Sequence, residues 1–309
     1  MTIDYRRIGF GAAIAVVLLF ALVRISGIGI ADLGNIVPGY VVLGLVFSLL
    51  TLTCRAANYR LLAHQQNPAP FNTWLKLAAK HQFLFSVVPS GLGDAGFPVL
   101  AKQHVALSLQ DGVRVILLAR ARDALILLAL AAIGASVQRH LPISFLLAGV
   151  AFVLFAFLAE PLISLAFRIL RPISGKFSHM LAAGFPDPGW KTRVVRTVST
   201  LASWLSAACA IAAAFASAGA TLHPGDVLIL MAGLNVVGLL AISIGGLGIA
   251  EAGSAGILAL LGYPLEQATQ MSLLARPVLL ISVLGACIVL GLSVRVWTSL
   301  VARSKTRQG

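Results

Sequence analysis

Residues 90–128 read SGLGDAGFPVLAKQHVALSLQDGVRVILLARARDALILL, and residues 245–283 read GGLGIAEAGSAGILALLGYPLEQATQMSLLARPVLLISV. Each stretch opens on a Gly-Leu-Gly turn, places an acid just after it (Asp94, Glu251), continues as a short apolar arm and ends its motif on Leu-Leu-Ala-Arg, at Arg120 or Arg276. The acid and the arginine are 26 residues apart in the first copy and 25 in the second. An internal repeat of this kind exposes an architecture that single windows hide.

The arms on either side of the first turn are short. From Trp74 to Val88 there are 15 residues, and the following arm ends by Leu107. At 1.5 Å per residue a helix needs about 20 residues to cross the hydrocarbon, so each arm reaches roughly two-thirds of the way. The pair reads as a re-entrant hairpin. A broken backbone at membrane depth survives only where protein or a watery cavity surrounds it, so the turn should be enclosed. Two amphipathic helices lying at the surface are the alternative, suited to Lys76, Lys80, His81, Lys102 and His104. The second copy has arms from Asp226 to Ile244 and from Ala250 to Leu261, and the first of these is long enough to span alone.

Working outward, composition fixes the solvent. The 309 residues are 59% hydrophobic and 11% charged, which is more apolar surface than a water-soluble core can hide. Further spans are expected at about Ile8–Val23, Val37–Cys54, Val113–Ala135, Ile143–Ala166, Thr200–Ala218 and Met271–Ser293. The first follows Arg6 and Arg7 but has no small-x-small cleavage site, so it reads as an uncleaved membrane helix rather than a secretory signal. Trp74 is expected at headgroup level, and His81 and His104 at the interface. Cys54, Cys209 and Cys287 lie singly in apolar runs and read as packing residues, with no disulfide or metal spacing.

The net charge of +13 follows topology rather than nucleic acid, since no aromatic-basic module accompanies it. With six full spans and two hairpins, one side holds Arg6, Arg7, Arg55, Arg60, Lys76, Lys80, Lys102, Arg114, the six basic residues between 168 and 196, and the four of the tail. That is 18 of the 23 lysines and arginines. Arg24 and Arg139 fall on the other side, and Arg120, Arg122 and Arg276 within the membrane. So strong a bias puts both termini in the cytoplasm of a plasma (inner) membrane protein. Each unit of two spans, a hairpin and a third span crosses three times, which inverts the second unit (about 141–300) relative to the first (about 1–140). The whole chain, 1–309, is then one all-α polytopic membrane domain. Inverted repeats with broken helices meeting near the midplane are a recurrent plan of secondary transporters.

The turns and the arginine segment resemble those of the lysylphosphatidylglycerol synthase transmembrane-region family of flippase-like membrane proteins. Its Pro-Gly-x-x-Gly-Glu turn is similar to Pro89-Ser90-Gly91-Leu92-Gly93-Asp94, its Leu-Leu-Glu-Arg-x-x-Asp segment to Leu117 through Asp123, and its Pro-Gly-Gly-Leu-Gly-x-x-Glu turn to Ile244 through Glu251. Asp94, Ala119, Ala250 and Ile244 depart from that pattern. The resemblance implies movement of a polar or anionic lipid between leaflets, phospho- or polyprenyl-linked or hopanoid-related. The soluble aminoacyl-transferring domain of the synthase is not expected here, because the chain stops at Gly309.

The chemistry of the site can also be read directly from the residues. Where a hairpin turns at mid-membrane, its second arm presents a helix amino terminus that attracts phosphate or carboxylate. Arg120 and Arg276 approach the same central layer from opposite faces, and an unpaired arginine there costs at least about 2.5 to 3.5 kcal/mol. Asp94, Glu251, Asp123, Gly91, Gly93, Gly246 and Gly248 complete the candidate substrate site. Two readings stay open: Asp94–Arg120 and Glu251–Arg276 as structural clips, or the guanidinium forks as contacts for a lipid phosphate. Asp123 either holds Arg120 or Arg122 or takes up a proton. The glycines serve turns and close packing under either reading.

No metal or cofactor is expected, and no enzyme activity: His-Glu-x-x-His, Gly-x-Ser-x-Gly and paired cysteines are all lacking. The expected partners are anionic membrane lipids and enzymes of lipid biosynthesis. A non-transporting scaffold, bound through the basic loop 168–196, is the alternative function, and an intramembrane lipid-modifying enzyme a weaker one.

Overall fold

A computed structural model of the chain describes residues 5–27, 36–63, 69–88, 92–139, 142–163, 165, 169, 188–240 and 246–306. Most of the basic loop expected between 168 and 196, and Gly91 at the first turn, lie outside the described residues. Among those described there is no strand. The helices are α1 (Tyr5–Ser26), α2 (Pro38–Ala63), α3 (Phe71–Val87), α4 (Leu92–Val105), α5 (Leu109–Arg139), α6 (Ile143–Phe157), α7 (Gly189–Ser217), α8 (Pro224–Leu240), α9 (Ile249–Leu260) and α10 (Leu265–Thr306).

Prolines and glycines punctuate these elements. Pro38 and Pro224 open α2 and α8, where a missing N–H costs nothing. Val88, which precedes a proline in the sequence, is extended (φ −92°, ψ 148°), and α3 stops there. Gly248 takes φ 80°, a left-handed backbone that favours glycine, immediately before α9. The six helices expected to span are α1, α2, α5, α6, α7 and α10. Among the described residues α2, α7 and α10 (to Ser293) are long and apolar enough by composition alone. The 31 residues of α5 have the length, but Arg114, Arg120, Arg122 and Asp123 interrupt their hydropathy. Helix α6 has only 15 residues; it breaks at Leu158 and the chain resumes helical form at 159–163.

Two boundaries differ from expectation because a charge inside a helix need not end it. Helix α2 continues past Arg55 and Arg60, and α7 begins at Gly189, carrying Lys191, Arg193 and Arg196. Paired or cavity-facing charges leave a helix's backbone hydrogen bonds intact. Helix α8 runs from Pro224 to Leu240, and the rest of the arm expected to Ile244 lies outside the described residues.

The most extensive helix contact is between α2 and α7. Around it, α3 packs on α4 and α8 on α9; α4 lies against α5 and α9 against α10; α2 touches α3 and α7 touches α8; α5 meets α8 and α10 meets α3. Renaming α1–α5 as α6–α10 exchanges the members of each of these couples. The arms of each short pair meet at glycine. A Cβ on Gly93 would stand 2.8 Å from the Phe85 Cα, and one on Gly253 would stand 2.6 Å from a Val237 methyl.

Four apolar clusters fill the interior of the described residues, a small one between α2 and α10 (Leu52, Ala286, Cys287) and three larger ones. One surrounds α3 and α4 (Tyr59, Trp74, Leu77, Phe97, Val115), one surrounds α9 (Phe215, Leu230, Leu258, Met271) and one joins α5 to α7 and α8 (Ile126, Leu130, Trp204, Met231). Trp74 is wholly buried in the first, not at a headgroup interface. The outside is apolar as well: Val42 and Val46 of α2, Leu147 and Leu154 of α6, and Ile281, Ile288 and Leu292 of α10 are exposed. In water such a belt costs about 25 cal/mol per Å²; in a bilayer it is the solvated surface.

Candidate functional site

Seven helices (α2, α3, α5, α7, α8, α9, α10) and the turn glycine Gly246 line a partly open cavity of about 270 Å³ between the two short helix pairs. Its wall is mainly apolar (Leu52, Phe85, Ile211, Met231, Leu280), with polar groups at a few places, among them Arg55, Arg120 and Arg276. Both arginines singled out by the repeat therefore reach one space.

Arg120 is bound on two sides. Its Nε donates to Asp94 Oδ2 at 2.8 Å and its Nη2 to Asp94 Oδ1 at 2.5 Å, a bidentate fork, while Nη1 donates to Asp123 Oδ2 at 3.2 Å. Phe85 presents its ring 5.1 Å from the guanidinium carbon. The other oxygen of Asp123 accepts from the Trp204 indole at 2.8 Å. Asp94 in turn lies 3.2 Å from His81 Nε2, whose Nδ1 is 3.2 Å from the Tyr59 hydroxyl. A carboxylate forked by arginine only accepts, so the imidazole presents an N–H to Asp94 and Nδ1 accepts from tyrosine. His81 is 2% exposed and walled by Phe97, not interfacial as its position suggested. His104 does lie at the end of α4, 2.9 Å from Lys80, and burial together with the Lys80 and Lys76 charges holds its imidazole below the ordinary range.

The second copy uses its acid differently. Glu251 is buried in the first turn of α9 and accepts from the Gly248 N–H at 2.6 Å through Oε2, capping its own helix. Its Oε1 is 3.4 Å from Arg276 Nε, an ion pair of looser geometry than the fork on Arg120. Both expected clips thus exist, with unequal form. Gly93 is packed under Phe85, Gly246 (φ 69°) lines the cavity and Gly248 precedes α9.

A third charged group was not expected. Arg122, fully buried, donates to Glu160, and Arg196 donates to the same Glu160 oxygen at 3.0 Å. Arg122 also reaches Thr197 Oγ1 at 2.8 Å, and Arg196 the Leu61 carbonyl at 2.5 Å. The cluster ties α5, the turn after α6, α7 and the end of α2. Its signal in the sequence is Glu160 itself, a lone acid inside an apolar run, which rarely occurs without a partner.

A helical molecule with an apolar exterior and its paired charges gathered in the interior is a multi-pass membrane protein. More narrowly, the chain belongs to the lysylphosphatidylglycerol synthase TM region family, whose model matches residues 8–287. That places it among membrane proteins of lipid metabolism or transport. No curated protein and no solved structure matches the chain.

Proposed function

We propose that this protein moves a polar or anionic lipid between the leaflets of the bacterial inner membrane, with the headgroup passing through the central cavity. The observation that carries the reading is that one cavity takes wall residues from both units: Phe85 and Arg120 from the first, Gly246 and Arg276 from the second. At about 270 Å³ it is headgroup-sized, just below the range of about 300 to 1,000 Å³ usual for small-ligand pockets, so the acyl chains stay in the bilayer. The reciprocal helix contacts support two related units, which in this reading are inverted, carry re-entrant hairpins and rock about the α2–α7 seam, while the bias of basic residues supports cytoplasmic termini. No enzyme activity is needed for this work.

The test is reconstitution in phosphatidylcholine vesicles carrying fluorescent phosphatidylglycerol, read by bleaching from outside. Wild-type protein makes the inner-leaflet probe bleachable over time. Arg120→Ala and Arg276→Ala abolish this while still inserting. Wild-type vesicles that bleach no faster than empty ones refute transport of this lipid class and favour a scaffold; two fully active variants refute the site.

A further inference from the structure

Arg120 and Arg276 are not the cavity's available cations. Arg120 uses three N–H groups on two carboxylates, and Arg276 faces Glu251. Arg55, which its sequence context places in a loop, is instead on α2 and lines the cavity. Its contacts are neutral: Nη1 donates to Gln82 Oε1 at 2.5 Å, and the guanidinium carbon lies 5.1 Å from the Trp204 ring. Among the described residues no carboxylate pairs with it. A guanidinium has five N–H donors, and hydrogen bonding to Gln82 leaves most of them for another acceptor.

A second observation points into the same space. Ser48 lines the cavity and is 4% exposed, yet its hydroxyl has no hydrogen-bond partner. It lies seven residues before Arg55, two turns back on the same face of α2 and about 10 Å away along the axis. A buried hydroxyl without a partner is unfavourable unless something supplies one. We infer that Arg55, stacked on Trp204 and steadied by Gln82, holds the phosphate of the transported lipid, and that Ser48 receives a neutral polar group of the same headgroup.

This rests on the lipid-transport reading and names a residue that the repeat does not mark. The experiment is native mass spectrometry of protein released from phosphatidylcholine nanodiscs, doped in turn with phosphatidylglycerol and with phosphatidic acid. Wild type retains both anionic probes. Arg55→Gln lowers retention of both by about tenfold or more, as expected for loss of a charge-assisted contact, and Arg55→Lys restores part of it. Ser48→Ala lowers retention of phosphatidylglycerol only, since phosphatidic acid has no group beyond the phosphate. Should Arg55→Gln fail to fold, Arg55→Lys decides, by binding both probes more weakly than wild type. Retention by Arg55→Gln equal to wild type overturns the assignment, as does a wild type that retains neither probe. The vesicle assay separates the two claims. Arg55-dependent retention without transport leaves the site standing and removes the transporter; transport unaffected by Arg55→Gln does the reverse.

Discussion

Glu160→Gln isolates a buried cluster of charges that joins α5 to α7 and the end of α2. Glu160 is 3% exposed and stands between Arg122 at 0% and Arg196 at 6%. The glutamine keeps an acceptor but removes the carboxylate that both guanidinium groups share, the only one either contacts among the described residues. Breaking a buried pair from one side costs about 3 to 5 kcal/mol, because the remaining charge stays desolvated. Two cations share this carboxylate, so the upper part of that range applies; the Thr197 hydroxyl and the Leu61 carbonyl keep the loss from doubling. At about 2 to 4 °C per kcal/mol for chains of somewhat smaller size, the thermal midpoint in detergent falls by roughly 10 °C. The assay is the fraction of monodisperse protein surviving a heating series, with Glu266→Gln at an exposed site shifting by no more than about 2 °C. Arg122→Met with Glu160→Met removes one orphan along with the carboxylate, and is milder than Glu160→Met alone. A Glu160→Gln protein within about 2 °C of wild type refutes the reasoning.

Other outcomes follow from the packing and the caps. Gly93→Ala drives a methyl against the Phe85 backbone and destabilises by about 1 to 3 kcal/mol, whereas Gly256→Ala, with open space around it, is neutral or slightly stabilising; the same heating series compares them. Glu251→Ala removes both the α9 cap and the partner of Arg276, so it lowers the midpoint more than Glu251→Gln, which keeps an acceptor for the Gly248 N–H. Fluorescent-protein fusions at either terminus light up, and alkaline phosphatase fusions at either terminus stay inactive; the opposite result at one end breaks the topology.

The pairing of Asp94 with Arg120 was legible because the repeat fixed acid and arginine at matching distances, and a charge at that depth demands a partner. The shortness of the first pair of helices was legible from arm length. Helix ends were not, since a sequence cannot say whether Arg55 or Arg196 meets water or a buried acceptor. His81 misled for a similar reason: between lysines on an amphipathic arm it looks interfacial, and only the approach of Tyr59, Phe97 and Asp94 from other elements buries it. Glu160 carried a signal, a single acid in apolar surroundings, that the stronger repeat overshadowed. The unequal use of Asp94 and Glu251 had a trace in their spacing, since Asp94 follows Gly93 directly whereas Glu251 stands three residues after Gly248, the N3 place of a capping box.

Trp204 touches Arg55 with its face and Asp123 with its edge. One rigid plane therefore gauges the positions of α2 and α5 from α7. A turn of α7 about its own axis that takes the indole from Asp123 also unstacks Arg55, so the ring acts as a coincidence detector: the carboxylate that braces Arg120 and the cation that awaits an anion are released in the same motion.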